Sequence, residues 1–370
     1  MSMLFKNITK KNIAIVLKGE RIVIKPNDTI DGPSHLKYYS GLASLDEGSN
    51  PYKKIIVNKP NALDENIKEV DKIISELEVH DFTKPYDRNN YKKSDKKKNF
   101  SIITLSHTKE QFIDFLYDLR IQDTNQTFEI IWLRNAQNEF KSPAEALNFG
   151  MSVANSEYYA LTHQDIRCGP KWISSIREHF DYFDKSALKY AFLGVAGTSK
   201  NGQSQAAEYG ALYLSNDASE LGPGIKKGTT IADLNRKRWG RFKEVQTLDE
   251  CAMFCRADLG IKYDEKTFDH YHWYGADICI QALSKGYKNY AIDADCEHLS
   301  DGQINLAKEE HAKSYIHHGS RLFKKWKDDF TYLRSTTASF YFKEGYWNPL
   351  IMSAVNQKYD KKHPLKVIVK

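Results

Sequence analysis

Strands and helices alternate between residues 100 and 166, and this alternation limits the folds open to the chain. Apolar runs typical of buried strands lie at Phe100–Leu105, Phe128–Leu133 and Tyr158–Ile166. Helical patterns separate these runs, at Lys109–Ile121 and Pro143–Ala154. Strands joined through helices pair in parallel with right-handed crossovers. The sequence therefore predicts an α/β fold with a mostly parallel central sheet flanked by helices.

Residues 1–95 have a different character. Two β-rich runs early in the chain predict a hairpin, and apolar residues at helical spacing predict a helix over Asn61–Leu77. The polar and charged stretch Pro85–Lys98 is typical of a domain boundary. We therefore expect a small β-containing accessory or docking region over residues 1–95, a main domain over 96–330 and a C-terminal extension over 331–370.

Composition excludes several classes of protein. The 370 residues are 41% hydrophobic and 28% charged, which suits a globular protein with a sizeable core. No apolar run approaches the roughly 20 residues of a membrane span, and the N-terminus lacks the apolar core of a secretion signal. The five cysteines show no Cys-x-x-Cys spacing, which favours a reducing cytoplasm. The net charge of +6 permits an anionic partner without requiring one.

The third predicted strand ends in His163, Gln164 and Asp165. Ligands of open α/β sheets bind beyond the carboxyl ends of the strands. A carboxylate there can hold Mg²⁺ or Mn²⁺ against a phosphate-bearing ligand, and His298 is a second candidate that favours Mn²⁺. Each residue also has a purely structural interpretation, because strand-end aspartates often cap helices and loop histidines often only form hydrogen bonds. The residues alone leave both interpretations open.

Asp277 lies at the start of a predicted apolar helix. An acid at a helix N-terminus interacts favourably with the helix dipole, which is a sufficient structural explanation. The same position can direct the carboxylate into a cleft above the sheet, where it can act as a general base. Asp249 and Glu250 are further candidates. The sequence contains no P-loop, no Gly-x-Gly-x-x-Gly after the first strand and no Gly-x-Ser-x-Gly elbow.

Taken in order, nine short segments resemble the glycosyltransferases of family two, which have the Rossmann-like GT-A fold. The resemblance covers Phe100 to Trp326 and is greatest to a bacterial and viral subgroup in which His-Gln-Asp replaces the usual Asp-x-Asp metal motif. The segments are Phe100–Ile103, Phe128–Ile131, Ala146–Gly150, Tyr159–Ile166, Gly194–Gly197, Val245–Glu250, Tyr263–Glu265, Tyr274–Ile278 and His298–Gly302.

The resemblance implies a metal-dependent inverting glycosyltransferase of the hexosyltransferase type. It would move a sugar from a nucleotide-sugar, most often a UDP-sugar, to a hydroxyl acceptor. Asp165 and His298 match metal ligands, with His163 beside them, and Asp277 matches the catalytic base. The residues implied in donor binding are Ser106, His107, Glu110, Asn135, Asn148 and Gln164. Those implied in binding the sugar or acceptor are Asp249, Glu250 and Trp273.

Two other functions stay open at this point. The chain can be a non-catalytic carbohydrate-binding or viral structural protein on a transferase scaffold, because accessory regions such as residues 1–95 often serve assembly. It can also glycosylate hydroxymethylated DNA bases, which the basic cluster Arg236–Arg241 allows. The acceptor is then a glycan, a protein or modified DNA. The expected location is the cytoplasm of a bacterium or of a virus-infected cell, with virion association as an alternative.

Overall fold

The computed structural model divides the chain into two compact units, Met1–Ile73 and Ile74–Lys370. Within them it describes residues 2–7, 13–17, 20–25, 29–33, 42–44, 75–82, 96–107, 109–135, 139–200, 209–210, 212–214, 242–294, 296–298, 309–349 and 366–369.

The first unit contains short antiparallel strands. They are β1 (Ser2–Asn7), β2 (Ile13–Leu17), β3 (Glu20–Ile24), β4 (Thr29–Pro33) and β5 (Leu42–Ser44). Strand β1 lies between β4 and β5, and β2 pairs with β3 at the position of the predicted hairpin. The predicted helix over Asn61–Leu77 falls mostly outside the described residues.

The second unit contains strands and helices in alternation. Its first strands are β6 (Val79–Phe82), β7 (Lys98–Ser106), β8 (Phe128–Arg134), β9 (Ser156–His163), β10 (Ile166–Cys168), β11 (Tyr190–Gly194) and β12 (Ala196–Thr198). The later strands are β13 (Tyr209–Gly210), β14 (Leu212–Leu214), β15 (Phe242–Val245), β16 (Thr247–Leu248), β17 (Ala252–Arg256), β18 (Lys288–Ile292), β19 (Cys296–His298), β20 (Tyr332–Arg334), β21 (Ala338–Tyr341), β22 (Tyr346–Pro349) and β23 (Val367–Ile368). The helices are α1 (Lys109–Arg120), α2 (Pro143–Val153), α3 (Trp172–Lys185), α4 (Tyr274–Ser284) and α5 (Glu309–Trp326), with a 3₁₀ turn at Ala257–Leu259.

Eight strands form the central sheet, in the order β15-β18-β11-β17-β9-β7-β8-β6. Six of them run in one direction, while β15 and β17 run in the other. The predicted α/β class, with a mostly parallel sheet and flanking helices in the manner of the GT-A fold, is confirmed. Strands β7, β8 and β9 are parallel neighbours, so their carboxyl ends lie at one edge of the sheet.

The division between the units lies earlier than the boundary predicted at residues 95 and 96. Strand β6 pairs in parallel with β8, with Val79 opposite Ile130 and Phe82 opposite Leu133. A segment that the sequence analysis assigned to the accessory region is therefore the edge strand of the central sheet. With only four residues, strand β6 is too short for its hydrophobic periodicity to distinguish a strand from a loop.

Helix α2 packs closely on the sheet and fixes the start of β9. Ser142 caps the helix, because its Oγ accepts a hydrogen bond from the Glu145 backbone N at 3.2 Å, and Pro143 is the first helical residue. Gly150 lies so close to β7 that a Cβ there would collide with Ile103 Cγ2. This close approach holds the crossover that leads into β9.

The predicted C-terminal extension folds into a sheet. Strands β20 to β23 are antiparallel neighbours, and the aromatic side chains of Phe340 and Trp347 pack in the same core as Trp273. A Cβ on Gly319 of α5 would overlap the Trp347 ring at 2.5 Å, which shows how tightly α5 lies on this sheet. In the part of the chain that the structure describes, no helix is long and apolar enough to cross a membrane.

Candidate functional site

Three predicted metal ligands come together beyond the end of β9. His163 is the last residue of β9, Asp165 lies in the turn that follows, and His298 ends β19 opposite Ile166. His163 Nδ1 lies 3.2 Å from His298 Nε2, and His298 Nε2 lies 3.3 Å from Asp165 Oδ1. One donor atom from each residue fits within 4.8 Å of the others. The single strand predicted over Tyr158–Ile166 is thus broken by a turn, and the turn presents the carboxylate.

The donor set suits a divalent cation. Two imidazole nitrogens and one carboxylate oxygen match the ligand preferences of Mn²⁺. They suit Mg²⁺ less well, because Mg²⁺ prefers oxygen ligands. The side chains of His163, Asp165 and His298 are 34%, 17% and 15% exposed, so a ligand can reach them from solvent. The three residues therefore fit a metal that also binds an external ligand.

The charge states of Asp165 and His163 favour metal binding. Burial by itself would raise the pKa of Asp165, but the hydrogen bond and positive charge of His298 hold it at about 2. Burial and the neighbouring His298 lower the pKa of His163. Asp165 is thus ionised and His163 neutral near pH 7, which are the forms that coordinate a cation. Burial by itself would lower the pKa of His298, but its hydrogen bond to Asp165 raises it, so a metal ion would have to displace a proton from this imidazole.

Several predicted donor-binding residues form one hydrogen-bonded network beside these ligands. The His107 backbone N donates to Gln164 Oε1 at 2.6 Å, so the turn after β9 is tied to the end of β7. His107 Nε2 lies 2.9 Å from the Tyr271 hydroxyl, and Asn135 Nδ2 donates to the same hydroxyl at 3.4 Å. Tyr271 is 39% exposed and was not predicted as a site residue. The network therefore joins the ends of β7, β8 and β9 to the segment before α4.

The other predicted donor-binding residues have structural partners. Ser106 is buried, and its Oγ accepts a hydrogen bond from Trp132 Nε1 at 2.5 Å. Asn148 of α2 binds both backbone polar groups of Tyr263, donating to the O at 2.9 Å and accepting from the N at 3.0 Å. Glu110 lies in α1, and its side chain is outside the described part of the structure. Ser106 and Asn148 therefore form hydrogen bonds within the protein and stabilise the elements around the site.

The turn between β16 and β17, which contains Asp249 and Glu250, is joined to His163 by a backbone hydrogen bond. The His163 backbone N donates to the Cys251 O at 2.9 Å, and Asp249 Oδ1 accepts from the Cys251 N at 3.1 Å. Glu250 packs over Gly275, the second residue of α4, where a Cβ would lie only 2.7 Å from Glu250 Oε2. Burial, together with the charge of Asp249, raises the pKa of Glu250 to about 8.

Helix α4 also contacts the predicted metal ligand His163 through its first residue. The Tyr274 hydroxyl lies 3.3 Å from His163 Nε2. Tyr274 follows Trp273, whose φ of 74° is the one left-handed non-glycine conformation among the described residues. Trp273 was predicted to bind the sugar or acceptor. The structure buries its ring against Tyr315 and Trp347, with Nε1 donating to the Tyr315 O at 2.9 Å, so it positions the start of α4.

Asp277 has no exposed surface. Its Oδ1 accepts a hydrogen bond from Trp326 Nε1 at 2.8 Å, and its Oδ2 accepts from Lys325 Nζ at 2.9 Å and Gln281 Nε2 at 2.8 Å. Burial raises the pKa of Asp277 even though Lys325 lies against it. Lys325 Nζ also bonds Asp264 at 2.8 Å. The residue predicted as the catalytic base thus lies within the contact between α4 and α5.

Two known proteins are similar to parts of this chain. The ATP synthase subunits region ORF 6 protein of Fuscovulum blasticum is 24% identical over 164 residues, which are 43% of this chain and 59% of that protein. The chain thus spans about three fifths of the length of this curated relative. The solved structure of the mannosyltransferase PcManGT from Pyrobaculum calidifontis, in complex with GDP-Man and Mn²⁺, is 10% identical with a TM-score of 0.41. It covers 72% of this chain and 73% of its own, and similarity at that level supports no inference about ligands.

Residues 101–317 match the model of a family described as "Glycosyltransferase like family". The match covers more than half of the chain and includes β9, its metal-ligand candidates and all of α4. The resemblance to glycosyltransferases drawn from the sequence is confirmed at the level of the family. The chain belongs to this glycosyltransferase-like family.

Proposed function

We propose that the chain is a metal-dependent inverting glycosyltransferase that uses a nucleotide-sugar donor, with UDP-sugars as the first class to test. The observation that carries this proposal is the convergence of His163, Asp165 and His298 beyond β9, in a chain of this family. We place the chain in the subgroup whose metal motif is His-Gln-Asp.

His163, Asp165 and His298 would hold the metal, and their two imidazoles favour Mn²⁺ over Mg²⁺. When bound, the ion would neutralise negative charge on the diphosphate leaving group. The protein ligands would be the ionised Asp165 carboxylate and the partly exposed imidazoles of His163 and His298.

The donor's nucleotide would bind across the ends of β7, β8 and β9. His107, Gln164 and Tyr271 offer polar groups there, and Asn135 joins them through the Tyr271 hydroxyl. This placement follows the general rule that ligands of α/β sheets bind beyond the carboxyl ends of the strands. The network therefore holds the nucleotide beside the metal ligands.

Inverting transfer needs a base that removes the proton of the acceptor hydroxyl as its oxygen attacks the sugar. Asp277 is the base that the resemblance implies. Its lack of exposed surface and its three hydrogen bonds favour a different role, the anchoring of α4 to α5. In that role it would hold Tyr274 beside His163.

The acceptor is proposed only as a hydroxyl compound, on a glycan, a protein or modified DNA. The five cysteines are free and buried, which supports a reducing compartment such as the cytoplasm.

Calorimetric titration of UDP and GDP into the protein, with and without Mn²⁺, tests the proposal. We expect Mn²⁺-dependent binding that Asp165→Ala abolishes. Asp181→Ala is a matched control, since Asp181 is an exposed aspartate of α3 paired with Arg177. A thermal-shift screen of nucleotide-sugars then identifies the donor, because a ligand at 100 times its Kd adds about 2.7 kcal/mol of stability. Failure of every nucleotide to bind in the presence of Mn²⁺ would overturn the proposal.

A further inference from the structure

Glu250 lies where the strand that carries His163 meets the turn between β16 and β17. Strands β9 and β17 are paired, with Thr162 opposite Ala252, and the His163 backbone N donates to the Cys251 O. Glu250 is the residue before Cys251. Its backbone is therefore held to the strand end that presents the metal ligands.

The Glu250 carboxyl group packs against the first turn of α4. Gly275 lacks a side chain, and the space that its Cβ would occupy lies 2.7 Å from Glu250 Oε2 and 2.8 Å from Glu250 Cβ. Side chains at positions 250 and 275 would thus occupy the same volume. In this protein the Glu250 side chain occupies it. The preceding residue, Tyr274, contacts His163 through its hydroxyl. The Glu250 carboxyl group thus packs on Gly275, and the adjacent residue Tyr274 contacts the proposed metal ligand His163.

Glu250 and Asp277 differ in their access to an acceptor. Glu250 is partly exposed, whereas Asp277 has no exposed surface and accepts three hydrogen bonds from α4 and α5. A general base must come within hydrogen-bond distance of the proton that it removes. Of these two acidic residues, only Glu250 has exposed surface that an incoming hydroxyl can approach without separation of α4 from α5.

The surroundings of Glu250 also suit proton transfer near neutral pH. The pKa of Glu250 is raised to about 8 because most of its carboxyl group is withdrawn from water and because Asp249 is next to it. Among the described residues, the other titratable groups that interact with its charge are the phenols of Tyr263, Tyr274 and Tyr315 and the thiol of Cys279. A base whose pKa lies near the working pH is the most efficient at proton transfer.

We propose that Glu250, and not Asp277, is the catalytic base of the glycosyl transfer; this inference rests on the proposed function. The acceptor hydroxyl gives its proton to the Glu250 carboxylate as its oxygen forms a bond to the anomeric carbon. The bond from that carbon to the diphosphate oxygen breaks, and its electron pair leaves with the nucleoside diphosphate. The protonated Glu250 returns its proton to solvent after the product leaves.

The test compares Glu250→Gln with Asp277→Asn and with the exposed control Glu157→Gln. UDP binding with Mn²⁺ is measured by calorimetry, and turnover by UDP release from the best donor of the nucleotide-sugar screen, with glycerol and water as acceptors. Glu250→Gln should lower kcat about 100-fold or more, since general bases contribute 10²- to 10⁴-fold. Its Kd for UDP should stay within about twofold.

A relocation experiment sharpens the test. Glu250→Gly empties the shared volume, and adding Gly275→Asp places a carboxylate in it from α4. The double variant should release UDP about tenfold faster than Glu250→Gly alone. A purely structural Glu250 predicts no such recovery.

The possible results separate the two proposals. Absence of UDP and GDP binding by the unaltered protein would overturn the proposed function and this assignment with it. Intact binding with undiminished turnover in Glu250→Gln would overturn the assignment alone. So would an Asp277→Asn variant that keeps its melting temperature and UDP affinity but loses more turnover than Glu250→Gln.

Discussion

Replacing Lys325 by methionine should destabilise the fold without touching the proposed metal ligands. The substitution removes the ammonium group that lies 2.9 Å from the fully buried Asp277 carboxylate. Removing one partner of a buried ion pair costs about 3–5 kcal/mol, because the other charge stays buried. Trp326 and Gln281 would still donate to Asp277, so we expect the lower end, about 3 kcal/mol. The partly exposed Asp264 adds little to this loss.

Urea denaturation followed by circular dichroism measures the loss, and a double-mutant cycle with Asp277→Asn isolates the pair. The asparagine needs no counter-charge and still accepts from Trp326. The double variant should therefore be less destabilised than the sum of the single variants, by about 2 kcal/mol. Lys324→Met is the matched control, since Lys324 is the neighbouring lysine of α5 and is exposed.

The pH dependence has a definite sign. Burial raises the pKa of Asp277 above 3.8, and removal of Lys325 would raise it further. A raised acid pKa means that stability is highest when the group is protonated and falls as the pH rises through the folded-state value. The loss caused by Lys325→Met should thus be smaller at about pH 5 than at about pH 8. A loss below about 1 kcal/mol, or strict additivity in the cycle, would refute the buried-charge explanation.

Three further predictions concern the site and its support. Turnover should rise with pH through the pKa of Glu250, which is raised to about 8, and this rise should be absent from the residual activity of Glu250→Gln. Tyr271→Phe should weaken UDP binding about 5- to 10-fold in calorimetry, because it removes a hydroxyl bonded to His107; an unchanged Kd would exclude the network from nucleotide binding. Gly150→Ala should cost about 1–3 kcal/mol in urea denaturation, since the new Cβ meets Ile103, whereas Gly169→Ala, with open space around it, should be nearly neutral.

Local patterns sufficed to predict the parallel core of the sheet. Strands β7 and β8 and helix α1 lie within a few residues of their predicted bounds, because long apolar periods are strong signals. Strand β6 was missed, since its assignment depends on pairing with β8, which lies about 50 residues further along the chain.

Part of the site was predictable for a similar reason. Asp165 and His163 follow directly from the end of a buried strand, and His298 came from the resemblance. The sequence gives no sign that Glu250 and Gly275 share one volume, or that Lys325 reaches Asp277 across 48 positions. Both facts depend on how α4 packs against elements distant in sequence, so an acid at a helix start could be identified but its surroundings could not.

The strained backbone at Trp273 has a consequence for how this protein can change. A left-handed conformation at a bulky residue costs about 1–3 kcal/mol and persists only where packing enforces it. Here Phe340 and Trp347 of the C-terminal sheet supply that packing. The same residue sets the position of Tyr274 beside His163. Strands β20 to β22 therefore cannot be trimmed or exchanged as an independent module, because a graft that relaxed Trp273 would disturb the proposed metal ligands from a distance.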